Sequence, residues 1–236
     1  MSDAHETLTV EQRGKVLLAT MDDGKANVFS TALSTALRAM LSEAEGDDGI
    51  NAVVIAGRPG RFSGGFDLSV FQAGDLGAVG EMVAAGGGLV AHAYGATVPV
   101  VAACTGHAVA AGALLLLGCD HRVGPDTDIK VGLNEVAIGL TLPDWALAIA
   151  GERLSRRHLQ TSVVNAKLYN GHGAVDAGFL DAVVAPEVVV DAAVEHATTL
   201  AELDPTAYAN TVAAVRTPVL ERMAGSCTYE VTATDS

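Results

Sequence analysis

Two hydrophobic rhythms alternate along this chain. Short runs of β-branched and small apolar residues read as strands, and longer stretches with apolar residues every three or four positions read as helices. Residues 7–12 and 15–20 are β-prone and meet at Arg13-Gly14, which predicts a hairpin. Residues 22–27 form a turn-rich loop. Ser30 is placed to cap a helix whose apolar face is Ala32, Leu33, Ala36, Leu37, Met40 and Leu41. Residues 46–49 end that helix, and 52–56 read as a buried strand. A long glycine-rich loop follows over 58–67. Residues 75–88 read as a mobile stretch, and 89–96 as a helix. Residues 99–103 predict a second buried strand, broken by Gly106. Residues 110–118 are apolar on every side, so a helix there lies wholly inside the protein. Helices are predicted again at 144–154, 155–166, 188–203 and 205–215, with a short strand at 182–185 and a frayed tail at 225–236. No internal repeat is visible. The succession predicts an α/β protein.

Composition narrows this picture. At 236 residues, half of them hydrophobic, the chain can build one large layered core. No apolar run approaches the ~20 residues that cross a bilayer. The opening Met-Ser-Asp-Ala-His-Glu lacks the basic start and apolar middle of a signal peptide, so a cytoplasmic location is expected. Cys104, Cys119 and Cys227 are odd in number and lack metal-ligand spacing, so free thiols are expected. A net charge of −14 argues against nucleic-acid or anionic-membrane partners. It leaves room for a phosphate-bearing ligand held by a few local groups.

The candidate chemistry sits between Pro99 and Trp145. Ala111, Gly112 and Ala113 begin the all-apolar helix and let a ligand approach its unpaired N–H groups, where an oxyanion can sit. The glycine loop 58–67 offers further backbone donors. Glu135 stands among Leu133, Val136, Ile138 and Leu140. A plain structural reading fits the same residues: a core helix, a connecting loop and a solvated carboxylate. His107, His121 and His172 lack ligand spacing and read as structural. Cys104 reads as packing, Asp144 as a helix N-terminal residue, and Arg58 and Arg61 as a solvated pair.

Four blocks, taken together, resemble the crotonase superfamily, also called the enoyl-CoA hydratase/isomerase family. They are Asp23-Gly-Lys-Ala-Asn27, Phe62-Ser-Gly-Gly-Phe-Asp67, the stretch 99–120 ending in Cys119-Asp120, and the stretch 170–184. The resemblance covers residues 7 to about 190. It implies a crotonase-like spiral of repeated ββα units over 1–190 that binds acyl-CoA. Residues 191–236 would then be a helical segment for oligomerisation, in a homotrimer or homohexamer. It implies an enolate held at the thioester oxygen by two backbone N–H groups, matched here to Gly64 and Ala111. Lys25, Ala26, Ser63, Gly65, Phe66, Asp67, Leu68, Leu114, Leu140 and Trp145 are the substrate-binding positions it implies. It calls for no metal and no cofactor, coenzyme A being part of the substrate.

The carboxylates divide that family. Members resembling hydratases carry two glutamates that position and activate a water. Counted from Cys119-Asp120, the first position is Leu114. The second is Glu135, with one residue inserted between 124 and 130. One carboxylate resembles the Δ3,Δ2-enoyl-CoA isomerases, in which one base moves a proton from the α- to the γ-carbon. An apolar setting raises a carboxyl's pKa toward the range a general base needs. The rival expectations are a hydratase or another crotonase-type reaction, and an idle acyl-CoA-binding partner subunit.

Overall fold

A computed structural model describes residues 7–225. Strands β1 (Leu8–Arg13) and β2 (Val16–Met21) form the antiparallel hairpin, turning at Gly14 with φ +63°. After β3 (Val28–Phe29), Ser30 caps α1 (Thr31–Glu45) by accepting the Leu33 N–H at 3.1 Å. Next come β4 (Ala52–Ala56), β5 (Gly60–Ser63), β6 (Gly65–Phe66), α2 (Leu68–Gln72) and α3 (Leu76–Gly95). Then follow β7 (Val100–Ala103), β8 (Gly106–Val109), α4 (Ala111–Gly118), β9 (His121–Pro125), β10 (Val131–Gly132) and a 3-10 turn (Val136–Ile138). The chain continues through α5 (Asp144–Arg153), α6 (Arg156–Val163), α7 (Gly171–Ala177), β11 (Ala182–Val184), α8 (Val189–Leu200) and α9 (Pro205–Ala224).

A strand–strand–helix unit recurs along this order. Its first strands, β2, β4, β7 and β9, lie side by side in a six-stranded sheet ordered β1-β2-β4-β7-β9-β11. Its second strands β5, β8 and β10 form a parallel three-stranded sheet, and β3 pairs with β6. Beyond the first hairpin, every pairing between these named strands is parallel. This is the expected crotonase-like spiral of ββα units. Parallel strands are buried on both faces, and β4 divides its side chains accordingly. Val53 and Ile55 face the main core, whereas Ala52, Val54 and Ala56 face the back layer with Val189, Ala193 and Ala197 of α8.

Several boundaries differ from the sequence pattern. The stretch 75–88 is not a separate mobile segment; it is the first part of α3, capped by Asp75, which accepts the Gly77 and Ala78 N–H groups. That 20-residue helix is apolar and long enough to span a bilayer by length and composition. Its apolar character is used in the core, where Val79, Met82, Val83, Leu89, Val90 and Ala93 are buried. The glycine loop contains β5 and β6 rather than being a plain connection. Helix α9 runs on to Ala224 through Pro218. Residue 190 is no break in packing, because α8 covers the sheet and α9 lies on α3 and α5. Asp120 ties α9 down, accepting from Tyr208 Oη at 3.0 Å and from the Arg216 guanidinium, and it also accepts the Val100 N–H at 2.8 Å. Cys227 and the tail after Gly225 lie outside the described residues.

Candidate active site

The first loop is built by side-chain oxygens. Asp23 accepts the Lys25 and Val28 N–H groups at 2.7 and 3.1 Å. Buried Asn27 donates to Met21 O at 2.8 Å and Phe62 O at 3.2 Å, pinning the loop to β5. Lys25 is exposed, and its carbonyl accepts from Arg58 at 2.6 Å. Arg58 also lies 3.5 Å from Asp22.

The glycine loop corrects three expectations. The Gly64 N–H donates to Ala26 O at 2.8 Å, so this amide is already engaged and is not a free oxyanion donor. Ser63 is fully buried; its hydroxyl donates to Asn27 O at 2.6 Å and accepts the Gly65 N–H at 3.1 Å, so it holds the loop rather than a ligand. Asp67 caps α2, accepting from Ser69 N and Oγ at 2.9 and 2.7 Å. One amide remains. The Asp67 N–H points to Phe29 O at 3.4 Å, on β3. Successive N–H groups of a strand point in opposite directions, so the Phe66 N–H faces away from β3. Gly65 has φ +92°, and a Cβ there would stand 2.8 Å from Ala110 Cβ and 3.4 Å from Ala111 N. Strand β6 therefore lies directly against the start of α4.

Ala111 is the first residue of α4, where an N–H has no partner within the helix. Before it, Ala110 sits at φ +53°, ψ −125°, a strained conformation for a residue with a Cβ. Its N–H donates to Gly132 O at 3.0 Å, so β10 holds it there.

Beside this junction opens a pocket of about 650 Å³, its mouth included. Phe66, Leu68, Leu114, Glu135, Leu140 and Trp145 line it, with the Gly64 backbone at its rim. Lys25, Ala26, Ser63, Gly65, Asp67 and Ala111 are not among its lining residues, whereas Ala110 is. The sequence pattern missed Phe71, Val83, Asn134, Ile138, Thr141 and Pro143, which also line it. Among the described residues Glu135 is the one ionisable side chain in that lining. It is 8% exposed, its Oε2 has no hydrogen-bond partner, and burial pushes its pKa from 4.5 up to about 7, with neighbouring amides opposing. The Glu135 carbonyl accepts the Ile138 and Leu140 N–H groups at 3.1 and 2.9 Å, which fixes the segment carrying the carboxylate. Asn134 Oδ1 and Trp145 Nε1 are also buried without partners.

The model of the family described as "Enoyl-CoA hydratase/isomerase" matches residues 11–234. The chain belongs to this family. Among curated relatives it is 30% identical over 203 residues to enoyl-CoA delta isomerase 3 of Arabidopsis thaliana, covering 82% of this chain and 84% of that protein. Two solved structures of one Mycobacterium tuberculosis protein are each 38% identical to it. The first, described as an enoyl-CoA isomerase, aligns with TM-score 0.89 over 96% of this chain and 97% of its own. The second, described as a probable enoyl-CoA hydratase, aligns with TM-score 0.90 over 94% and 93%. The family's names thus span both reactions.

Other candidate groups have structural partners. His107 Nδ1 accepts the Lys130 N–H at 2.8 Å, His172 pairs with Asp126 at 2.8 Å, and His121 stacks on His196 at 3.7 Å between ring centroids. Burial pushes the Cys104 thiol up to about 12, far from a nucleophile's range. Asp144 is exposed at the first position of α5 and is not among the pocket's lining residues.

Proposed function

We propose that this member of the family is a Δ3,Δ2-enoyl-CoA isomerase in which Glu135 is the base. The observation that carries this reading is the lining of the pocket: Glu135 is its one ionisable group among the described residues, and Leu114 occupies the place a second glutamate would need. Hydration requires acid and base work on a positioned water, whereas isomerisation requires one base that takes and returns a proton. Glu135 removes a proton from C2 of a 3-enoyl thioester, and the electron pair delocalises onto the thioester oxygen as a dienolate. Protonation at C4 by the same carboxyl then moves the double bond from C3–C4 to C2–C3. A pKa of about 7 suits a group that must be ionised to begin and protonated to finish.

The oxyanion is held by the N–H groups of Phe66 and Ala111. The orientation of β6 and the helix start at Ala111 support this pair over the Gly64 amide. The acyl chain lies against Leu114, Leu140 and Trp145 and leaves past Leu68, which is 52% exposed at the mouth. Apolar residues left uncovered on the C-terminal helices, among them Val215 at 64% exposure, support assembly into a trimer or hexamer. Replacing Glu135 by Gln keeps the shape and removes the base. It should lower turnover of a 3-enoyl-CoA by roughly 100- to 10,000-fold with KM little changed. Normal turnover by a folded Glu135→Gln protein would reject the assignment.

A further inference from the structure

Three consecutive glycines, Gly86, Gly87 and Gly88, lie inside α3. A glycine inside a helix is less favourable than alanine by roughly 1 kcal/mol, so such a run asks for a reason. The contacts supply one. A Cβ at Gly86 would stand 2.5 Å from Phe66 Cε1 and 2.8 Å from Phe66 Cζ. At Gly87 it would stand 2.9 Å from Trp145 Cε2, and at Gly88 3.0 Å from the Arg38 guanidinium. By contrast, Gly80 of the same helix faces open space. The glycine run is therefore a row of slots, and the first two receive Phe66 and Trp145, two of the three aromatic rings that line the pocket.

The Phe66 ring is held between two surfaces. Phe29 meets it edge-on at 6.4 Å between centroids, and the Gly86 slot receives its far edge. The backbone of the same residue carries the N–H that faces away from β3. Resting on the isomerase reading above, we propose that Gly86 is a positioning residue: its missing side chain seats the Phe66 ring and thereby sets where the Phe66 N–H points. A carbon–carbon contact relaxes near ~3.5 Å, so an alanine at position 86 displaces the ring by about 1 Å. A misplacement of about 1 Å can lower turnover by up to ~100-fold.

The test is a double-mutant cycle on trans-3-hexenoyl-CoA. Gly86→Ala should lower kcat at least tenfold with KM within about threefold. Phe66→Leu has a shorter side chain that stops short of the slot. The pair should therefore be non-additive, with the double variant no slower than Phe66→Leu alone. Gly80→Ala should leave kcat unchanged. Additive losses, or a Gly86→Ala protein with wild-type kcat, would overturn the proposal. If Gly86→Ala does not fold, the double variant carries the test. It must fold and turn over like Phe66→Leu, and a double variant that also fails to fold shows that the clash lies elsewhere. A wild-type protein that does not isomerise the substrate at all would instead retire the isomerase reading itself.

Discussion

Burying Glu135 ties the protein's stability to pH in a direction set by its surroundings. Its pKa is raised from 4.5 to about 7, so the native state holds its proton more tightly than the unfolded chain does. Stability from this group is fully present below 4.5 and is lost as pH rises through about 7. At 1.36 kcal/mol per pH unit the whole window is worth about 3 kcal/mol. Glu135→Gln resembles the protonated carboxyl at every pH. The variant should therefore match the wild type near pH 4.5 and exceed it by about 3 kcal/mol at pH 8. The assay is urea unfolding of both proteins across that range, the difference between them cancelling every other titrating group. Activity should run the opposite way. The base works only when ionised, so kcat/KM of the wild type should fall tenfold per pH unit below about 7 and level off above it. A constant stability difference, together with a kcat/KM midpoint near 4.5, would show that Glu135 is solvated rather than buried in an apolar pocket.

Other outcomes follow from the same contacts. Replacing Asp120 by Asn leaves Arg216 half-paired in a buried setting and should lower stability by about 3 kcal/mol in chemical unfolding; a loss below ~0.5 kcal/mol would show that α9 does not depend on this tie. Ala110→Gly relieves the positive φ and should raise stability by about 1 kcal/mol, whereas a less stable variant would show that the strain is not felt. Light scattering at micromolar concentration should give the mass of a trimer or hexamer, and a monomeric mass would contradict the proposed assembly.

How far the sequence could be read depended on whether the signal was local. The buried strand at 52–56 and the helix after Ser30 announce themselves through their own residues, and both are present. Leu114 and Glu135 were identifiable because a missing carboxylate and a retained one are differences of residue type. That the Gly64 amide is engaged was not readable, because it is captured by Ala26, which lies in another loop. Ser63 and Asp67 misled for a related reason: their oxygens are used by nearby backbone and hydroxyl groups. The first part of helix α3 was hidden because its glycines answer to Phe66 and Trp145, which are far away in sequence. The ββα repeat exists in the backbone and leaves no repeated side-chain pattern.

In the proposed function, one carboxylate beside Leu114 makes this pocket isomerise rather than hydrate. Product analysis decides it most directly. The protein is incubated separately with trans-3-hexenoyl-CoA and trans-2-hexenoyl-CoA, and the thioesters are separated and identified. An isomerase should rapidly form 2-hexenoyl-CoA from the first, and little or no 3-hydroxyhexanoyl-CoA from the second. Efficient formation of the 3-hydroxy product, with the 3-enoyl substrate left unchanged, would contradict that function.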